Sequence, residues 1–242
     1  MRIIIHRGTK EIGGTCVEMA TEKTRILLDF GMPLVDANHE PFDSRTLIGK
    51  SSSDLRRLKI LPNAMGLYRD EVKSIDAIFL SHSHMDHYGL LRYAHPDIPI
   101  YMSEGADLLI HASNIFTPCK VGKLNTRILD KSKKTEIGDF TVYPLLVDHS
   151  AFDALAFIIE ADGKRIFYSG DFRGHGRKSV LFKKMLRRPP SDIDCLLLEG
   201  SMIGRGNRFL RMRVRLSPVL LMLYDPMEIL SSYSPHRRIL TE

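Results

Sequence analysis

Cysteine is scarce in this chain: Cys16, Cys119 and Cys195 are the three among 242 residues, and none has a C-x-x-C partner. An odd, scattered set implies neither a disulfide framework nor a thiolate zinc site, so the thiols read as reduced bystanders. Long apolar runs are missing too. "MRIIIHR" is too short for a signal peptide, and "VLLMLY" near residue 220 falls far below bilayer-spanning length. The expected setting is the cytoplasm, with no membrane partner. Lysine is absent beyond Lys184: all 14 lysines lie at or before it, and residues 203–242 use only arginine as a base. Seven arginines there, against Asp225, Glu228 and Glu242, supply +4 of the net +6. The rest of the chain is nearly balanced, so its basic character is weak evidence for a nucleic-acid partner.

What is present suits a soluble globular protein of one large domain or two small ones, at 43% hydrophobic and 26% charged residues. Residues 1–31 read as a β-meander: "RIIIH", a turn at Gly13 and Gly14, "TCVEMA", then "TRILLDFG". Residues 32–71, with Pro33, Pro41, Pro62 and the basic strip "LRRLK", read as a lid or flap with a short helix. From Ile75 the pattern is strand, loop, helix, with helices predicted in "YGLLRYAHP" and "EGADLLIHASNIF". Strands return in "FTVYPLLVDHS", "ALAFIIEADGKRIFYSGD" and "DIDCLLLEG", with an amphipathic helix at "VLFKKMLRR". Two strand-rich halves, each with helices, predict an α/β architecture of two sheets with helices outside them. The lysine-to-arginine switch marks a boundary between a domain over 1–201 and an arginine-rich tail over 202–242.

The stretch "FLSHSHMDHYGL" carries the chemistry, with His82, His84, Asp86 and His87 spaced as H-x-H-x-D-H at the end of a strand. Histidines two apart on extended backbone point the same way and can grip one ion, while the following turn aims Asp86 and His87 at a second position. Imidazole and carboxylate without thiolate suit zinc or manganese. His149 in "LLVDHSAF" is the natural third ligand of the first ion, and Asp171 in "RIFYSGDFRG" is placed to bridge both. Such a pair generates a hydroxide nucleophile at neutral pH. His6, His39, His95, His111 and His175 lack comparable partners and read as surface or core residues.

With "EIGGTCVEM", "LLDFG", "SHSHMDHYG", "DHSAFDALAFIIE", "GKRIFYSGDFRGHG" and "LLLEGS", residues 1 to about 201 resemble the metallo-β-lactamase superfamily, in particular its β-CASP, ribonuclease J-like branch. The resemblance implies an αββα sandwich, here incomplete at its C-terminus. It implies one zinc on His82, His84 and His149 and another on Asp86, His87 and Asp171, with Asp171 shared. It makes Asp29 a carboxylate that orients the histidine cluster. It matches Glu199 to the acidic residue that hydrogen-bonds a ligand histidine. The inserted nucleic-acid clamp and the last histidine of the branch have no counterpart, and the tail does not match. That tail reads as translated out of register or ending early relative to a longer gene, with its lone His236 exposed.

The leading functional reading is dinuclear-zinc hydrolysis of a phosphodiester, most simply RNA, with Asp86 and Asp171 as catalytic carboxylates and Arg173 and Arg177 beside the substrate. One alternative is hydrolysis of a small ester, thioester or lactone, since no clamp is present to hold a polymer. Another is a truncated, non-catalytic metal-binding domain. The unfinished sheet end leaves room for the tail or for a partner chain in an oligomer.

Overall fold

The computed structural model describes residues 1–9, 11–117 and 120–201. Cys119, the arginine-rich tail and His236 lie outside them. Strands β1 (Arg2–Arg7), β2 (Cys16–Ala20), β3 (Arg25–Leu28), β4 (Ala77–Phe79), β5 (Ile100–Met102) and β6 (Thr126–Ile128) form one sheet in that order. β1 to β3 are the expected antiparallel meander, and β3 to β6 run parallel. The second sheet has the order β11-β10-β9-β8-β7, built from β7 (Thr135–Ile137), β8 (Phe140–Leu146), β9 (Leu155–Ala161), β10 (Lys164–Tyr168) and β11 (Cys195–Leu197). β6 and β7 are three residues each and none of those residues is fully buried, so no apolar alternation announced them in the sequence.

Side-chain alternation explains the layering. Phe79 in β4, with Leu155, Phe157 and Ile159 in β9, faces the gap between the sheets, where Phe140, Ile166 and Tyr168 join one apolar core. The other face of the second sheet buries Ala156 and Ile158 beneath Met185 of helix α4 (Ser179–Arg187). The other face of the first sheet packs Leu27, Ile78 and Ile100 against Ala106 and Ile110 of helix α3 (Glu104–Ser113). These are the four layers of an αββα sandwich.

Two expectations need correction. Residues 32–71 are not a lid: helix α1 (Ser52–Arg57) and the loops around it bury Leu47, Leu55, Leu61, Leu67 and Tyr68 in the outer core of the first sheet. The "LRRLK" strip is tied down as well, with Arg56 paired to Glu71 and Arg57 to Asp54. The single helix predicted in "YGLLRYAHP" is instead a short α2 (Met85–Tyr88) and a separate 3-10 turn over Leu91–Tyr93. Gly89 lies between them, where a Cβ would press on Met32 Cβ at 2.8 Å, so the chain kinks to dock on the strand-end loop. No helix among the described residues is long and apolar enough to cross a membrane.

Candidate metal centre

Both sheets deliver side chains to one end of the sandwich. β4 ends at Phe79, and the extended residues that follow carry His82 and His84 before α2 begins at Met85. Asp86 and His87 occupy the first turn of α2, whose backbone is drawn against the residue before β2 and the loop after β3: Thr15 N donates to Asp86 O at 3.1 Å and Phe30 N to His87 O at 2.7 Å. Gly31 makes this approach feasible, because a Cβ there would overlap the Asp86 carbonyl. From the second sheet, the loop after β8 supplies His149 and the loop after β10 supplies Asp171. The sheets are stitched together here, since Leu155 N in β9 donates to Ser81 O at 2.8 Å.

The nitrogens converge. His82 Nε2 and His149 Nε2 each lie 3.1 Å from His84 Nδ1, and these three residues form one group able to hold an ion. A tetrahedral ion with metal–nitrogen bonds of ~2.0–2.1 Å spaces its ligand nitrogens about 3.3 Å apart, so the donor set fits. His82, His87 and Asp171 form a second such group. Asp171 Oδ1 is 3.4 Å from His87 Nε2 and its Oδ2 is 3.9 Å from His149 Nε2, so this carboxylate stands between the groups. Asp86 is set slightly apart, with Oδ2 3.8 Å from His87 Nε2. His82 takes part in both groups, a sharing that spacing along the chain did not reveal.

Behind the ligating atoms lies a hydrogen-bond network. Asp29, fully buried and in the left-handed region at φ 57°, accepts from Ser81 N at 2.7 Å, Ser81 Oγ at 2.7 Å and Tyr168 Oη at 2.5 Å. It also lies 2.8 Å from His87 Nδ1, which leaves Nε2 of that ring facing Asp171. Ser81 Oγ also holds His82 Nδ1 at 2.9 Å. The electrostatics follow from these contacts. Burial pulls the His82 and His84 imidazoles down and brings His149 to about 4, so all three are neutral lone-pair donors at neutral pH. Burial also opposes the His87 imidazolium, but Asp29 and Asp171 outweigh it and raise that group to about 10. Burial would raise the Asp171 carboxyl, yet His87 and the other imidazoles hold it below the usual carboxylate range.

Asp148, next to His149, is the main residue that sequence reasoning missed. Buried at 1% exposure, its carboxylate accepts from Gly176 N at 2.6 Å and Lys178 N at 3.3 Å, while its carbonyl accepts from Arg173 N at 2.6 Å. It thereby ties the "GDFRGHGRK" loop to the His149 loop. Arg173 is drawn inward, with Nε 3.6 Å from Asp148 Oδ1, whereas Arg177 is exposed. Glu199 departs from its expected role. Its carboxylate accepts from Phe172 N at 3.5 Å and Ser201 Oγ at 2.5 Å, and it bonds no histidine among the described residues. Its Oε2 accepts from Ser201 N and Ser201 Oγ, so Glu199 closes its own turn.

Comparisons with known proteins agree with this fold. The family model described as "Beta-lactamase superfamily domain" matches residues 49–241, running past the boundary drawn at 201. An RNase J-like protein of Methanocaldococcus jannaschii is 23% identical over 214 residues, covering 81% of this chain and 41% of the relative. Ribonuclease J of Helicobacter pylori strain 26695 is 26% identical over 168 residues, covering 69% of this chain and 22% of the relative. The chain therefore spans less than half the length of these curated relatives. A crystal structure of a protein of unknown function from Enterococcus faecalis V583 superposes with a TM-score of 0.71 at 25% identity, covering 85% of this chain and 51% of that one. With four of every five residues inside the family match and the strand ends arranged as described, the chain belongs to the beta-lactamase superfamily, with RNase J-like proteins among its relatives.

Proposed function

We propose that this protein is a metal-dependent hydrolase that cleaves phosphodiester bonds, with RNA as substrate and zinc as the resident ion. The observation that carries the reading is the convergence of His82, His84 and His149, and of His82, His87 and Asp171, on adjoining positions. The RNase J-like relatives support the choice of RNA. A divalent cation held by these donors supplies Lewis acidity toward a water and toward a phosphoryl oxygen. The chain's own groups do the rest. His82, His84 and His149 present neutral nitrogens to one cation, while His87 and Asp171, with Asp86 adjacent, present donors to a second. Asp86, 16% exposed beside His87, orients the attacking water and accepts its proton. Asp171, between the two groups, fixes their separation. Asp29 keeps the His87 ring turned so that Nε2 faces inward.

The test is metal content per chain by elemental mass spectrometry, combined with cleavage of 5′-labelled RNA and of a thioester panel. Two zinc ions and chelator-sensitive RNA cleavage are expected, with His82→Ala lowering the rate by at least about a hundredfold while the fold persists. Thioester hydrolysis without RNA cleavage would move the substrate to the small-ester class. Undiminished cleavage by His82→Ala would place the chemistry elsewhere.

A further inference from the structure

Beyond the ligand set, the loop that carries His149 ends in an exposed aromatic ring. Phe152 is 67% exposed, three residues after His149. A ring this open in a loop is normally free to swing, but this one is seated. Its edge lies on the first turn of α3 at Gly105, where a Cβ would come within 2.6 Å of Phe152 Cδ1. The next residue, Asp153, takes a left-handed φ of 62° and is anchored by Gly105 N at 3.2 Å and Lys131 Nζ at 2.8 Å. The chain is therefore anchored at the residue after the ring while the ring itself stays open to solvent.

A cation stands over it. Lys178 Nζ is 5.9 Å from the Phe152 centroid, near the outer range of a cation–π contact. The Lys178 backbone is pinned to the same loop through Asp148, whose Oδ1 accepts from its N–H. The neighbouring Lys131 is committed to Asp153, whereas the Lys178 ammonium has no carboxylate within ion-pair distance among the described residues. An open π-face and an ammonium that feels Asp153 and Asp148 but makes no ion pair among the described residues, both fixed to the metal-ligand loop, match the two repeating parts of a single strand: base and phosphate.

We propose that Phe152 and Lys178 form a nucleotide subsite beside the metal centre, in which a base of single-stranded nucleic acid stacks on Phe152 and its adjoining phosphate pairs with Lys178. The proposal rests on the phosphodiester reading and specifies how the polymer is held. It accounts for strand binding without a basic surface, because recognition comes from stacking and a single ion pair.

The test is fluorescence anisotropy of the zinc-loaded protein with a labelled 2′-O-methyl RNA octamer and with an octamer of abasic sugar-phosphates. The wild-type chain should bind the base-bearing strand more tightly. Phe152→Ala should weaken that binding about tenfold and leave abasic binding unchanged. Phe152→Leu should behave like the alanine variant, whereas Phe152→Trp should restore wild-type affinity, which separates stacking from apolar bulk. Lys178→Gln should weaken both ligands and reduce the salt slope by about 0.7. Equal affinity of wild type and Phe152→Ala for the base-bearing octamer would overturn the subsite, as would wild-type binding without preference for bases or no binding at all. Chelator-sensitive RNA cleavage scored in parallel keeps the two ideas apart. Base-selective binding without cleavage sinks the hydrolase reading alone, and cleavage with Phe152→Ala unaffected sinks the subsite alone.

Discussion

Asp29 accepts from three donors and lies against His87 Nδ1, so it is held in one position and passes that constraint to the His87 ring. Tyr168→Phe removes one of those donors from a buried site. The expected result is about tenfold weaker zinc binding in competition with a chromophoric chelator. Unchanged affinity would mean that Ser81 alone holds Asp29 in place. A second expectation concerns protons. His87 is raised to about 10 and is therefore protonated at pH 7.5, while His149 at about 4 is not. Binding through His87 must displace that proton, so metal uptake should release about one proton and tighten as pH rises toward 10. Calorimetry in two buffers of different ionisation enthalpy measures this, and zero release would exclude His87 as a ligand. The histidines were legible in the sequence because four ligand-type residues fall within six positions, and His149 and Asp171 because each closes an apolar run. Ser81 sits inside the same stretch yet reads as a spacer, and Tyr168 reads as core. Their role arises only where separate strands meet.

Glycine decides which elements can approach one another. Gly31→Ala places a methyl group on the Asp86 carbonyl and should abolish the docking of α2 against the β3 loop. The expected outcome is a destabilised chain that retains little zinc, read by chemical denaturation and metal analysis. Gly163→Ala is the contrasting case. It lies at φ 68° in the turn between β9 and β10, with open space around its Cβ, so only the backbone penalty of about 1 kcal/mol applies and metal content should be normal. Equal damage from both would show that the close approach at Gly31 is not special. Element by element, the long strands β8, β9 and β10 and the helices α3 and α4 were legible from periodicity. The strand-end helix was not. Apolar spacing over "YGLLRYAHP" satisfies a helix, but tertiary docking at Gly89 divides it. The proline-bearing segment 32–71 misled in the opposite direction, because turn residues say nothing about whether the leucines between them are buried.

At the scale of the molecule, the sandwich places its ligands on two bodies: His82, His84, Asp86 and His87 on the first sheet, His149 and Asp171 on the second. Any cation held by both groups ties those sheets together, so binding free energy adds to folding free energy. With free zinc at a hundredfold excess over Kd, the thermal midpoint should rise by about 5–10 °C over the chelated protein. A shift confined to local probes around His82, with the global transition unmoved, would contradict this. Because the Leu155 to Ser81 hydrogen bond crosses between the sheets at the same end, the open edge of the sandwich is also its seam. A seam closed by an ion would make the domain a reporter of its own loading: a chain that has lost its metal would be looser, and proteases would read metal starvation as a change in its lifetime.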